Sequence, residues 1–482
     1  MATHDRVNQF EGVKLQLQCF LTRYPGLRCY GAWCCGPVAV RCQSSPCHWP
    51  DPIIFPHFLL LIPMPFTIPK RLAVLALATA LSCATVAQAA TPQAPVSPAA
   101  LSPNPVAAGP GNVPTGPTAA LLESVPLPTM QAKSWLVLDI TSNQILAEQN
   151  ADQQEAPASL TKLMTAYLTF KAIKDGSVKL TQMVHETNEA WRTGGSRMFI
   201  DPRVPVSVND LLLGMIVQSG NDAAMTLAQT VGGSASAFVG MMNRQAQEWG
   251  LKGTHFMDPT GLPDPGHHTT ARDLSVIASH IIRDFPQDYA RYFKVKEFTY
   301  NNITQPNRVS LLFTDPSVDG MKTGYTKEAG YCMITSAQRN FPNGPRRLLT
   351  VVMGTPTEHA RVAESEKLLN WAFQNFDDIR VVTAGKPVLA AHVWKGAVNQ
   401  VQLGSFETLA VSVPRGDGAK IKTTIQRPDP LVAPIARGQK IGTLQVSLDG
   451  KLIERYPLVA LNAIPQAGIF KRVWDALRLA IK

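Results

Sequence analysis

The spacing of apolar positions changes several times along the chain, and each change predicts an element. Lys133 to Ile140 (KSWLVLDI) and Gln144 to Glu148 read as two strands, with Thr141-Ser142-Asn143 between them as a hairpin turn. Ala156-Pro157-Ala158 breaks that pattern. Leu160 to Ile173 then places its apolar residues at helical spacing. The same period predicts helices at Val208 to Val217, Ala223 to Thr230, Ala235 to Trp249 and Ala271 to Ile282. Strand-like runs return at Tyr331 to Ala337 and Arg347 to Met353, before a last core helix at Ala360 to Phe373. Strands at both ends with helices between predict an α+β domain whose antiparallel sheet is closed by distant segments. After about Arg380 short strand-like runs alternate with Gly/Pro/Asp turns such as Ser447-Leu448-Asp449-Gly450-Lys451, and helical spacing disappears. That change predicts a separate small β-rich domain.

Both ends carry different patterns. Lys70 and Arg71 precede a short apolar run, Leu72 to Leu81, and then Ala87-Gln88-Ala89, which describes a secretory signal peptide cut after Ala89. Met64 lies just before the basic pair. Residues 64–89 are therefore read as the signal and 1–63 as a mis-called extension, against the alternative of a true N-terminal domain with an internal anchor. Residues 90–130 are rich in Pro, Ala, Gly and Ser and read as an extended spacer. At the other end, 466–482 holds AGIFKRVWDALRLAIK. At about 100° per residue, Ile469, Phe470, Val473, Trp474, Leu477, Ala480 and Ile481 share one arc, opposite Lys471, Arg472, Asp475, Arg478 and Lys482. Ala467–Lys482 is too short and too charged to span a bilayer, and fits a helix lying in an anionic membrane surface. The alternative is a terminal helix docked on a domain or partner.

These segments change what composition means. The 482 residues are 45% hydrophobic and 17% charged, which excludes a disordered or collagen-like chain. The net charge of +10 invites a nucleic-acid reading. Removing residues 1–89 leaves 38 basic against 32 acidic residues, a net of +6 with no Arg/Lys-rich stripe, so nucleic acid is a poor partner. Six of the eight cysteines lie in 1–63 and Cys83 lies in the signal, so Cys332 alone remains and no disulfide framework can form in the exported chain.

The chemistry begins at Ser159-Leu160-Thr161-Lys162. Residues three apart share a helix face, so Lys162 can reach the Ser159 hydroxyl. Serine is a weak nucleophile until a base takes its proton. Bringing a lysine from about 10.4 to near neutrality costs roughly 4 kcal/mol, within what burial supplies. Ser219-Gly220-Asn221 follows between two helices, offering a hydroxyl to relay a proton and a side-chain amide to hold a substrate amide. Lys322-Thr323-Gly324, heading toward the strand at Tyr331, supplies a cation and a hydroxyl for a carboxylate beside a residue without Cβ, where substrate backbone can approach. Each is weak alone; in this order and at these spacings they are specific together. His255, Asp258, Asp264, His267 and His268 fit no common zinc spacing and read as turn-rich loop.

With IVQSGNDAA, QPNR, VDGMKTGYT–AGY and AESEKLLNW, the three motifs make the chain from Ala132 to Lys482 similar to the low-molecular-mass penicillin-binding proteins that act as D-alanyl-D-alanine carboxypeptidases. The resemblance implies a β-lactamase/penicillin-binding-protein-like peptidase domain over 131–380, a β domain over 381–465 and a C-terminal amphipathic helix. It implies Ser159 as the acylated nucleophile, Lys162 as its base, Ser219 as the relay to the leaving D-alanine and Asn221 as the amide holder. Lys322, Thr323, Arg361 and, more weakly, Arg308 would face the terminal carboxylate, and the backbone N–H groups of Ser159 and Tyr325 would form the oxyanion hole. Tyr325 stands where close relatives often have His. No metal or cofactor is implied. The partners implied are peptidoglycan stem peptides ending in D-Ala-D-Ala, β-lactams as covalent inhibitors, and a membrane surface on the periplasmic side. A β-lactamase, a D,D-endopeptidase and a non-catalytic binding scaffold are the rival readings. No Glu between Ser219 and Lys322 sits where a β-lactamase would need one for deacylation.

Overall fold

The computed structural model describes residues 125–481, all within one compact unit, 97–482. The proposed extension, the signal segment and the spacer up to 124 lie outside the described residues.

Strands β1 (Ser134–Asp139), β2 (Gln144–Gln149), β3 (Val318–Thr326), β4 (Gly330–Phe341) and β5 (Gly344–Thr355) form one antiparallel sheet in the order β2-β1-β5-β4-β3. Ser134 of β1 pairs with Met353 of β5, so the sheet is closed by segments from opposite ends of the domain. Side chains alternate between its faces. Leu136 and Leu138 join Ile334 and Val351 in a core with the helices, while Trp135, Val137, Met333 and Val352 pack with Leu368, Leu369 and Phe373 of the helix Glu358–Asn375.

The long helices stand close to where periodicity places them: Val208–Val217, Asn221–Gly232, Ala235–Glu248 and Ala271–Asp284. Side-chain caps set several starts. Ser207 Oγ accepts from Asp210 N–H at 3.0 Å, and Thr270 Oγ1 accepts from Asp273 N–H at 3.0 Å. Periodicity does not reveal the short helices Asn188–Arg192 and Pro286–Tyr292 or the hairpin Glu297–Tyr300/Ile303–Pro306. Pro286–Tyr292 is held by two buried tyrosines, Tyr289 and Tyr292, rather than by an amphipathic stripe.

Three expectations need correction. The Lys-Thr-Gly motif does not lead into a strand but lies inside β3, the edge strand of the sheet. The last residues assigned to the spacer are fixed to the domain: Trp371 Nε1 donates to Pro126 O at 2.9 Å and Lys367 Nζ to Thr129 O at 3.0 Å. The second domain's first strand, Phe376–Val382, begins before the change in composition near Arg380 and pairs with Leu409–Pro414.

That second domain is all β beyond its short 3₁₀ turn Asp417–Lys420, with two small cores, one around Val393, Val401 and Leu403 and one around Val411, Val446 and Leu458. A buried polar joint ties it to the first domain. Arg346 Nε donates to Asp139 Oδ2 at 2.7 Å and its Nη1 to Phe376 O at 2.6 Å, while Ser412 Oγ donates to the same Asp139 oxygen at 2.8 Å.

The terminal helix, Ile469–Ile481, docks by its polar face. Asp475 Oδ2 accepts from Lys395 N–H at 2.7 Å, and Lys471 Nζ donates to Gly396 O at 2.7 Å. The apolar arc faces outward, with Phe470 94% and Trp474 62% exposed.

Candidate active site

Ser159 sits in a 3₁₀ turn, Ala158–Thr161, that runs directly into the helix Lys162–Lys174. Residues i and i+3 eclipse in a 3₁₀ turn, which stacks Lys162 over Ser159. Lys162 Nζ donates to Ser159 Oγ at 2.9 Å and to Thr260 O at 2.6 Å. Among the described residues no carboxylate touches this ammonium. Burial brings the Lys162 amine down to about 7, with the Arg308 charge pushing the same way and Asp258 and Asp222 opposing.

Thr260 owes its place to residues that sequence reasoning read as a bland turn. Asp258 Oδ1 accepts from Thr260 N–H, Thr260 Oγ1 and Gly261 N–H, and its Oδ2 lies 3.3 Å from His267 Nδ1. His267 Nε2 is 3.0 Å from Thr161 Oγ1, which joins the loop to the turn carrying Ser159. Burial alone would raise the Asp258 carboxyl, but the hydrogen bonds from His267 and Thr260 hold it at about 2. Gly261, at φ +87°, lies so close to the turn that a Cβ there would meet Ala158 O at 1.8 Å. The only sequence signal for this support was the density of Asp, Thr, Gly and Pro.

Ser219 and Asn221 flank the start of the helix Asn221–Gly232. Ser219 holds a positive φ of 67°, and its buried hydroxyl has no hydrogen-bond partner among the described residues. Asn221 Nδ2 donates to Gly194 O at 2.6 Å, and its buried Oδ1 has no partner among the described residues. The expected donor–acceptor pair is thus half used inside the protein, and the acceptor remains for a substrate N–H. Asp222 accepts from Met198 and Phe199 N–H groups and fastens the 194–200 loop to the same helix.

Lys322 and Thr323 are buried on β3. Lys322 Nζ donates to Thr323 O at 3.2 Å. Burial, then the charges of Lys162, Arg308 and Arg361, push the Lys322 amine well below its ordinary value. Gly324 serves a purpose other than the expected one. A Cβ there would lie 3.2 Å from Ala158 Cβ and 3.3 Å from Pro157 O, so the missing side chain lets β3 pass over the Ser159 turn. As an edge strand, β3 leaves a row of backbone groups unpaired for an extended peptide.

Arg361 is buried, hydrogen-bonded to Glu358, and lies with its guanidinium 5.6 Å from the Tyr331 ring. Its Nη1 is 3.5 Å from Gly324 O. Tyr325 is 52% exposed and packs on Tyr331, the ring centroids 4.3 Å apart. Arg308 is exposed and has no ion pair among the described residues; its charge reaches Lys162, Lys322 and Arg361. The structure thus joins the Ser159 hydroxyl to an amine lowered to about 7, lays the strand edge that carries Lys322 across the same turn, and leaves a second buried hydroxyl, Ser219, at the start of another helix. Such a set can acylate a serine and hold an anionic substrate end.

The family model described as D-alanyl-D-alanine carboxypeptidase, peptidase S11, matches residues 121–357, and the model of the penicillin-binding protein 5 C-terminal domain matches 376–466. The chain is 42% identical over 368 residues to D-alanyl-D-alanine carboxypeptidase DacC of Escherichia coli K12, covering 74% of this chain and 91% of that protein. Among solved structures it resembles penicillin-binding protein 5 of Haemophilus influenzae, with TM-score 0.67 and 41% identity over 71% of this chain and all of the other. Penicillin-binding protein 6B of E. coli matches with TM-score 0.58 and 35% identity over 70% of this chain and 98% of its own. The Ser-x-x-Lys turn, the Ser-Gly-Asn helix start and the Lys-Thr-Gly edge strand therefore stand in a chain that belongs to the peptidase S11 family of D-alanyl-D-alanine carboxypeptidases, with a penicillin-binding protein 5-type β domain behind it.

Proposed function

We propose that the protein removes the terminal D-alanine from peptidoglycan stem peptides through an acyl-enzyme on Ser159. The observation that carries this reading is the 2.9 Å contact between a buried Lys162 amine and the Ser159 hydroxyl. Neutral Lys162 takes the Ser159 proton as Oγ bonds to the penultimate carbonyl carbon. The oxygen gains charge opposite the Ser159 and Tyr325 N–H groups, where loss of one donor typically costs about 3 kcal/mol. The C–N bond to D-alanine breaks and its nitrogen receives the proton by way of Ser219. Water then adds to the acyl carbon, its proton passing to Lys162 and on to Ser159 as the ester bond breaks. Asn221 Oδ1 accepts from the substrate amide, and Lys322, Thr323 and Arg361 face its carboxylate, with Arg308 adding positive field.

The same serine would be acylated by β-lactams. The protein works outside the cytoplasmic membrane, on its periplasmic face, held by Ile469–Ile481. Support comes from the outward apolar arc of that helix and its inward polar face. Among the described residues no helix is long and apolar enough to cross a membrane. Incubation with a pentapeptide ending in D-Ala-D-Ala should release D-alanine. Mass spectrometry after penicillin treatment should find one adduct, on Ser159, and an adduct elsewhere would overturn the assignment.

A further inference from the structure

An aromatic groove lies beside the loop that Asn221 holds. It measures about 460 Å³ and is lined by Asn188, Trp191, Ile200, Asp201, Pro202 and Arg203. That size falls in the range of small-molecule sites. Trp191 is 44% exposed, and its indole borders the side chain of Arg197. Arg197 Nη2 donates to Trp191 O at 2.6 Å, and the guanidinium lies 5.8 Å from the ring centroid. Arg197 Nε in turn lies 3.8 Å from the fully buried Asp222, next in sequence to Asn221. The backbone of the segment that carries the ring is thus tied to Arg197, whose guanidinium lies beside the fully buried Asp222 at the helix start that bears the substrate-facing amide.

The groove's chemistry is mixed. One flat apolar face is bordered by the exposed Asn188 amide, which has no hydrogen bond among the described residues, and by the Asp201–Arg203 pair at 2.7 Å. A pyranose ring has matching faces: a C–H face to lie on an indole, and hydroxyl and acetamido groups at its rim.

Reach selects the occupant. With the carboxylate held by β3 and Arg361, the rest of the substrate leaves past Asn221. Gly194, whose carbonyl Asn221 holds, is three residues from Trp191, a span of at most about 10 Å. The three stem residues before a D-Ala-D-Ala pair span a similar distance, about 10 Å when extended. We propose that this groove is a distal subsite for the N-acetylated sugar to which the stem peptide is attached, so that the enzyme distinguishes glycan-linked from free peptides. This rests on the carboxypeptidase reading.

The test compares kcat/KM for a disaccharide-linked pentapeptide and the same free pentapeptide. The intact protein should prefer the linked form by about three- to tenfold, the range an aromatic contact supplies. Trp191→Ala should bring the ratio toward one, Trp191→Phe should retain part of it, and Asn188→Ala should lower it. Acylation by a fluorescent penicillin reports folding of each variant. A ratio near one in the intact protein, or a preference that survives Trp191→Ala, overturns the subsite. So does an equal loss on both substrates, which marks a structural role for Trp191. If D-alanine is released from neither peptide, the carboxypeptidase reading itself fails.

Discussion

Lys162 and Ser159 are joined by a 2.9 Å hydrogen bond across one 3₁₀ turn, and the same ammonium donates to Thr260 O from a loop almost a hundred residues later. The local turn sets the pair, and the distant loop sets the direction of the amine. Among the described residues no anionic partner is in contact with the charge, and burial governs its protonation.

The pH dependence of acylation follows. An amine lowered to about 7 is protonated, and useless as a base, below that pH. The second-order rate of penicillin acylation should therefore rise about tenfold per pH unit up to about 7 and flatten above it. Lys162→Arg, whose guanidinium stays protonated, should acylate at least about 100-fold more slowly at every pH while keeping its far-UV circular dichroism. A profile that ignores pH between 5 and 8 would remove Lys162 as the base.

Gly261→Ala tests the supporting loop. The added carbon would meet Ala158 O at 1.8 Å on a backbone at φ +87°. Urea unfolding should show a loss of about 2–4 kcal/mol, with acylation slowed because Thr260 O moves off Lys162.

Asp139→Ala should weaken the joint between the domains. It leaves the buried Arg346 guanidinium without its carboxylate and Ser412 Oγ with only Ser142 Oγ as a side-chain partner. Removing one partner of a buried pair costs about 3–5 kcal/mol, read from the denaturant midpoint. Arg346→Met added to Asp139→Ala should recover part of that loss, since the buried guanidinium is then gone, with the nearby Asp378 carboxyl left without the Arg346 charge.

Phe470→Ser with Trp474→Ser should reduce co-sedimentation with vesicles containing anionic lipid at least about tenfold, because these are the two exposed aromatic rings of the terminal helix. D-alanine release from a soluble peptide should persist. Unchanged co-sedimentation would defeat the anchor.

Much of the scaffold was legible because its signals are periodic. Val208–Val217 appears in the structure with the bounds its apolar spacing predicts, since burial of one helix face is written every three or four residues. Strands β1 and β2 read equally well from their dense apolar runs. The short helix Pro286–Tyr292 was not legible, because two buried tyrosines hold it and no repeat announces them. The roles of Tyr331 and Asp258 were not legible for a related reason. Each acts on Arg361 or on Thr260 through space, and a single aromatic or carboxylate in a strand or loop has no pattern of its own.

By itself the amino-acid order determined which groups the chain possesses: one Ser three residues before a Lys, a Ser-Gly-Asn, a Lys-Thr-Gly, and a terminal segment with one oily side. Folding decided what those groups meet. It laid Lys-Thr-Gly along a sheet edge over the serine turn, spent one half of the Asn221 amide on Gly194, and turned the polar side of the last helix inward onto Lys395 and Gly396. The reason is physical. Covalent neighbours fix only spacing along the backbone, whereas protonation and hydrogen bonding depend on burial and on partners that arrive from far along the chain.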